Sequence, residues 1–229
     1  MHTEHGNDYG TVGAIIVAAG SGVRMDGADK LFAQVGGRPL LAHAIAAFEE
    51  CWYVQRIALV LSEANLERGR EMLETERFTK VVSACTGGAR RQDSVLCGLQ
   101  ALGDCDWVVV HDGGRPLVRP TMIARGLEAA QATGAAIPVL PLSDTVKEVD
   151  AEGAVLRTLD RSRLRTVQTP QVFRHDLLMR AHQSVTDDVT DDAAMLEAIG
   201  VPVHTYEGRR RNIKITTPDD LLLAEGYLS

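Results

Sequence analysis

From Val12 onward, short β-branched apolar runs alternate with longer stretches in which apolar residues recur every three to four positions. Val12–Val17, Arg56–Leu61, Lys80–Ala84, Trp107–Val110 and Ala135–Leu140 read as strands. The stretches between them read as helices over about Pro39–Glu50, Ala64–Leu73, Arg91–Leu102 and Thr121–Thr133. Strands that alternate with helices pair in parallel, because each crossover lays a helix on one face of the sheet. The expected fold is therefore α/β, a doubly wound, mostly parallel sheet of Rossmann-like type. A length of 229 residues leaves room for one such domain and an elaboration.

The alternation breaks between Ser143 and Phe173. Thr145–Val149 and Val155–Leu159 flank the turn-rich segment from Asp150 to Gly153 and read as a β-hairpin, an arm over about 143–173. A lone hairpin is marginal in water, so this arm is expected to lean on a second copy of the chain. Helices then follow at Asp176–Val185 and Asp192–Ile199, strands at Val201–Tyr206 and Asn212–Ile215, and a last helix capped by Thr217, with Pro218, Asp219 and Asp220 in its first turn. The polar residues 1–11 read as a flexible tail before a single domain over 12–229. There is no apolar run of bilayer length and no signal-peptide pattern. Four cysteines without CxxC spacing read as reduced thiols, and the expected location is cytoplasmic.

Ligands of such sheets sit outside the carboxyl ends of the strands, which singles out three loops. The first, from Ala18 to Met25, contains Ala18, Ala19, Gly20, Ser21, Gly22 and Arg24, and Lys30 follows it. A dinucleotide fingerprint fails because Met25 stands where the third glycine would be, and a Walker A loop fails because Ala28 stands at the lysine position. The second, Thr86–Ser94, combines Gly87 and Gly88 with Arg90 and Arg91, and Asp93 or Ser94 is placed to cap the helix that follows. The third, His111–Pro116, has Asp112 and Arg115 at a strand exit. Any one of these could be an ordinary turn with solvated charges. Three glycine-rich, cationic loops at one end of one sheet match a ligand with several adjacent negative charges, a nucleoside triphosphate with Mg²⁺. The net charge of −7 argues against nucleic acid as the partner. Lys214 lies in an otherwise apolar strand and points either to solvent or to the site.

AAGSGVRM with Lys30, GGARRQDSV, HDGGRP, DTVK, LDRSRLRTVQTPQ, TDD and NIKITTPDDL together resemble the 2-C-methyl-D-erythritol 4-phosphate cytidylyltransferase family from about Gly13 to the C-terminus. The resemblance implies transfer of the cytidylyl group of CTP to 2-C-methyl-D-erythritol 4-phosphate, with pyrophosphate released, Mg²⁺ as cofactor and a homodimer joined through the arm. It implies Arg24, Lys30, Arg161 and Lys214 as catalytic groups. It implies nucleotide contacts from Ala18–Gly22, Gly88, Arg91, Ser94 and Asp112, with Asp112 near the metal, directly or indirectly. It implies acceptor contacts from Asp112, Arg115, Thr145, Arg161, Thr169, Thr190 and Lys214. The five histidines from His43 to His204 show no metal spacing and read as structural. Two departures stand out: Asp29 replaces the family's usual proline before the lysine, and Gly113-Gly114 replaces a usual pair of alanines. Ribitol 5-phosphate cytidylyltransferases share the same loops, and a non-catalytic nucleotide-binding module would too, so both remain as alternatives.

Overall fold

The computed structural model describes residues 9–20, 24–25 and 28–228, with main chain only at 24–25 and 28–29. Its centre is a parallel core of four strands: β1 (Val12–Ala18), β2 (Arg56–Leu61), β3 (Val81–Thr86) and β4 (Trp107–Asp112). All seven residues of β1 and all six of β4 are buried, as happens only where helices cover both faces. Ala14 and Ile16 point into one layer, with α1 (Leu40–Glu49), α2 (Leu66–Glu76) and α4 (Pro120–Ala130). Ile15 and Val17 point into the other, with α3 (Arg91–Leu102), α5 (His175–Ser184) and α6 (Asp192–Ala198).

The sheet continues past β4 with β9 (Gln171–Arg174), antiparallel to it, and then β5 (Ala135–Pro141). The carbonyls of Gly134, just before β5, and of Pro138 within it accept from the Arg174 and Gln168 N–H groups, whereas the Val139 carbonyl accepts from the Gly208 N–H. Successive carbonyls on a strand face opposite edges. So β8 (Arg165–Val167) and β9 share one edge of β5, while β10 (His204–Glu207) runs parallel along the other. The hairpin lies off the sheet: β6 (Lys147–Val149) pairs antiparallel with β7 (Val155–Thr158).

Two expectations need correction. Residues 165–167 and 171–174 belong to the central sheet and not to the arm, so the arm narrows to the hairpin and its flanks over about 143–164. The segment Asn212–Ile215 is no strand: its burial does not follow its polar–apolar alternation, because Asn212 and Ile215, three residues apart, are both fully buried and tied to the 114–115 turn. The Ile215 N–H donates to the Gly114 carbonyl at 2.8 Å, and the Asn212 carbonyl accepts from the Arg115 guanidinium at 2.9 Å. The last helix, α7 (Pro218–Leu228), starts as expected, with the Asp220 N–H donating to Thr217 Oγ1 at 3.3 Å. Asp220 returns the bond by accepting from the Thr217 N–H at 2.8 Å.

Candidate active site

Strand order turns back on itself between β1 and β4, because β1 leads to β2 on one side while β4 lies on the other. Such a switch point opens a crevice at the carboxyl ends of the two strands. Val17 stands beside Asp112 in the register, so the glycine loop after β1 and the Asp112 carboxylate share that crevice.

Asp112 is the last residue of its strand, not a loop residue, and is 8% exposed. Three cations surround its carboxylate. Arg91 Nε lies 3.4 Å from Oδ1, Lys214 Nζ 3.0 Å from Oδ2 and Arg115 Nε 3.6 Å from Oδ2. Burial alone would raise this carboxyl's pKa, but Arg91, Lys214 and Arg115 override it and hold the group well below the usual carboxylate range. Lys214 thus turns toward the site. Arg91 is shared: its Nη1 lies 2.7 Å from Oδ2 of Asp192, a fully buried carboxylate. Burial pushes the Asp192 carboxyl up, with Arg91 working against that. Asp192 and Asp112 together hold the Arg91 guanidinium above its ordinary range against its own burial.

A buried relay fixes Asp112 from behind. The Arg115 carbonyl only accepts, so His111 Nε2, 3.1 Å away, must carry the proton. His111 Nδ1 is then the acceptor for the Thr169 hydroxyl at 3.0 Å, and that hydroxyl accepts the Asp112 N–H at 3.1 Å. Complete burial pushes the His111 pKa down to about 4, which keeps it in this neutral tautomer. Thr169 lines the crevice, but its hydroxyl is engaged in positioning Asp112.

Two hollows open on this cluster. One is lined by Val17, Ala19, Gly20, Gly88 and Ser94, the other by Arg115, Gln168, Thr169, Gln171 and Thr190, and both include Arg91, Asp112 and Lys214. In the first, the Ser94 hydroxyl is already occupied, accepting from the Gly88 N–H at 3.2 Å and donating to the Arg90 carbonyl at 3.1 Å. It shapes the loop. A side chain at Gly88 would meet Asp93 Cβ at 2.4 Å, so that turn needs glycine. Asp93 caps α3 by accepting the Arg90 N–H at 3.1 Å. Ala18 is buried at the end of β1. Lys30 reaches across from the first loop and donates to the Ile215 carbonyl at 2.8 Å, which brings it next to Lys214 in the chain. Ser21, Gly22 and the side chain of Arg24 lie outside the described residues, as does the Asp29 side chain.

Thr145 and Arg161 do not join this cluster within one chain. Both are exposed; Arg161 bonds the Ser143 carbonyl and lines a separate hollow with Asp160 and Arg165. The sequence reading missed Gln168, Gln171, Asp191, Asp192 and Asn212. Gln171 is 1% exposed; its Nε2 donates to Asp191 at 2.8 Å, and its Oε1 has no hydrogen-bond partner among the described residues. The available signal was a run of uncharged polar residues, Gln168, Thr169 and Gln171, beside a buried strand. No group of three or more metal-ligating side chains exists among the described residues.

A carboxylate ringed by cations, at the switch point of a doubly wound sheet beside a glycine loop, defines the class as an α/β nucleotidyltransferase. The chain belongs to the 2-C-methyl-D-erythritol 4-phosphate cytidylyltransferase family, whose model matches residues 12–229. A relative of that name from Dehalococcoides mccartyi strain CBDB1 is 52% identical over 214 residues, covering 93% of this chain and 94% of its own. Another from Geobacillus kaustophilus is 45% identical, covering 94% of this chain and 96% of its own. The crystal structure of the enzyme from Thermus thermophilus superposes with a TM-score of 0.78 at 38% identity, covering 95% of this chain and 98% of that one. The chain is accordingly a CTP-dependent nucleotidyltransferase.

Proposed function

We propose that the chain transfers the cytidylyl group of CTP to 2-C-methyl-D-erythritol 4-phosphate, giving 4-diphosphocytidyl-2-C-methyl-D-erythritol and pyrophosphate for isoprenoid synthesis. The observation that carries this reading is the pair of hollows sharing one wall of Arg91, Asp112 and Lys214. CTP occupies the first, between the glycine loops, and the phosphorylated polyol occupies the second. Gln171 Oε1, buried and without a partner among the described residues, offers an acceptor to a hydroxyl of the polyol.

The acceptor's phosphate monoester has a second pKa of about 6, so it is largely dianionic at neutral pH and attacks without a general base. One of its oxygens bonds to the α-phosphorus of CTP as the bond to the β-phosphate bridging oxygen breaks, and pyrophosphate leaves with that electron pair. Such in-line transfer needs alignment and charge stabilisation. Lys30, Lys214 and, on the resemblance, Arg24 supply the stabilisation, and Arg115 helps hold the acceptor phosphate.

Asp112 is one carboxylate among three cations, which suits a Mg²⁺ that arrives on the triphosphate and takes most of its ligands from phosphate and water. Bound there, the ion would offset phosphate charge. The arm carries Thr145 and Arg161 toward the acceptor of a second subunit in a homodimer. Val155 and Leu156 on it are each 60% exposed in the single chain, which supports a covered arm. Four free cysteines support a cytoplasmic location, and no helix among the described residues is long and apolar enough to cross a membrane.

Pyrophosphate release from CTP, with methylerythritol phosphate and ribitol 5-phosphate offered in parallel, tests the reading. Strong preference for methylerythritol phosphate is expected, and preference for ribitol phosphate overturns the acceptor assignment.

A further inference from the structure

The reaction leaves a second concentration of positive charge unused. Arg119, Arg209 and Arg211 line a cleft between the 116–120 turn, α1 and the end of α7. Arg125 and Arg210 line an adjoining hollow that shares Arg209 and Arg211 with it. Neither cavity shares a lining residue with the two hollows at Asp112.

None of these five guanidiniums has a carboxylate within 4.0 Å among the described residues. Glu50 and Glu207 line the same cavities without pairing to any of them. Among the described residues, Arg211 is the one of the five whose side chain has a partner of another kind, the ring of Tyr227, 5.0 Å from its guanidinium carbon. Arg209 feels the crowding: burial and the charges of Arg119, Arg211 and Arg125 hold its pKa below the ordinary value. A chain with a net charge of −7 has carboxylates to spare, yet among the described residues it pairs none of them with these five like charges. Like charges so placed destabilise the empty state and favour binding of an anion. The guanidinium is the side chain whose rigid fork matches phosphate oxygens two at a time. The amino end of α4, which follows Arg119, adds the positive pole of an 11-residue helix. The charge lies within concave surfaces, which favours a small ligand over a polymer laid along an open face.

We propose that this arginine cluster is a second anion site, taking a small ligand with two linked phosphate groups, such as inorganic pyrophosphate or a diphosphate ester.

Calorimetric titration of the full chain with inorganic pyrophosphate, with CTP saturating and no acceptor present, tests this. A binding event that persists under CTP is expected. The Arg119→Glu and Arg125→Glu variants should each weaken it by about tenfold or more. Both side chains are exposed, and the Arg119 side chain makes no capping bond to α4, so cytidylyl transfer at low pyrophosphate should be unchanged and certify the fold. The proposal is overturned if CTP abolishes all pyrophosphate binding, or if both variants bind as tightly as the parent. It is equally overturned if poly-glutamate binds in an Arg119-dependent way while pyrophosphate does not.

Discussion

The crevice at Asp112 and the hairpin of β6 and β7 both rely on ion pairs, and they use them in opposite ways. In the crevice, Asp192 is 0% exposed and Asp112 8%, and each charge is answered within the same chain by residues far apart in sequence. On the hairpin, Arg157 and Glu148 pair across neighbouring strands with the Arg157 side chain 69% exposed. Breaking a buried pair strands a charge in a poorly solvated place, whereas water replaces a lost surface partner. The crevice is thus formed by one chain, while Thr145 and Arg161 lie exposed outside it, where only the proposed second subunit would give them a part in the reaction.

The largest effect should come from the lysines that meet at the 214–215 segment. Lys30→Ala and Lys214→Ala should each lower kcat by about 100- to 1,000-fold, measured with CTP and methylerythritol phosphate at saturation. Near-native turnover in either would end that residue's assignment as a charge stabiliser. Arg91→Ala uncovers Asp192 and should lower unfolding free energy by about 3 kcal/mol, readable as a shifted denaturation midpoint. A midpoint unchanged from the parent would mean that Asp192 does not depend on Arg91.

Arg161→Ala probes the other region. Acceptor KM should rise by about tenfold with kcat less affected. Mixed dimers of Arg161→Ala with Lys30→Ala chains should regain part of the activity, because one of their two sites would be intact; no rescue would place Arg161 outside a shared site.

His111, buried behind the crevice, and His182, half-buried on α5, give this part of the molecule a pH signature that the hairpin lacks. Burial pushes His111 and His182 down to about 4, so the folded chain resists protons that the unfolded chain takes up near pH 6.5. The stability they contribute is full above about pH 6.5 and is lost as pH falls toward about 4. Unfolding midpoints across that window should decline, and His111→Asn should flatten the decline. The smallest effect is expected on the hairpin, where Arg157→Ala should leave stability within about 0.5 kcal/mol of the parent.

Much of the parallel core was legible because β-branched runs and helical periods are local signals: β2 and α3 coincide with their expected ranges, Arg56–Leu61 and Arg91–Leu102. What escaped was decided by distant partners. Arg165–Val167 and Gln171–Arg174 are short and polar-flanked, and they are strands because β4 and β5 offer them edges. Asn212–Ile215 has strand alternation without a strand to pair with. Asp112, Lys214 and Arg91 were readable from loop position and resemblance, whereas Asp192, one acid in a run of them, owes its role wholly to tertiary burial. The glycine pair at 113–114 also divides on contact. A Cβ at Gly113 would lie 2.8 Å from a Leu41 methyl group, but at Gly114 the nearest atom is 3.8 Å away. Gly114→Ala should therefore be accepted where Gly113→Ala requires Leu41 to shift, a difference that thermal unfolding of the two variants resolves.

The wall common to the two hollows has a thermodynamic corollary. Arg91 and Lys214 line both hollows, so whatever positive potential an anion in one of them neutralises is withdrawn from an anion in the other. By reciprocity, a nucleotide that weakens the hold on the polyol phosphate is itself held less tightly by the same factor. On the proposed reaction, departure of pyrophosphate would hand that potential back to the product still in place, so the strength of product retention would depend on which of the two leaves first.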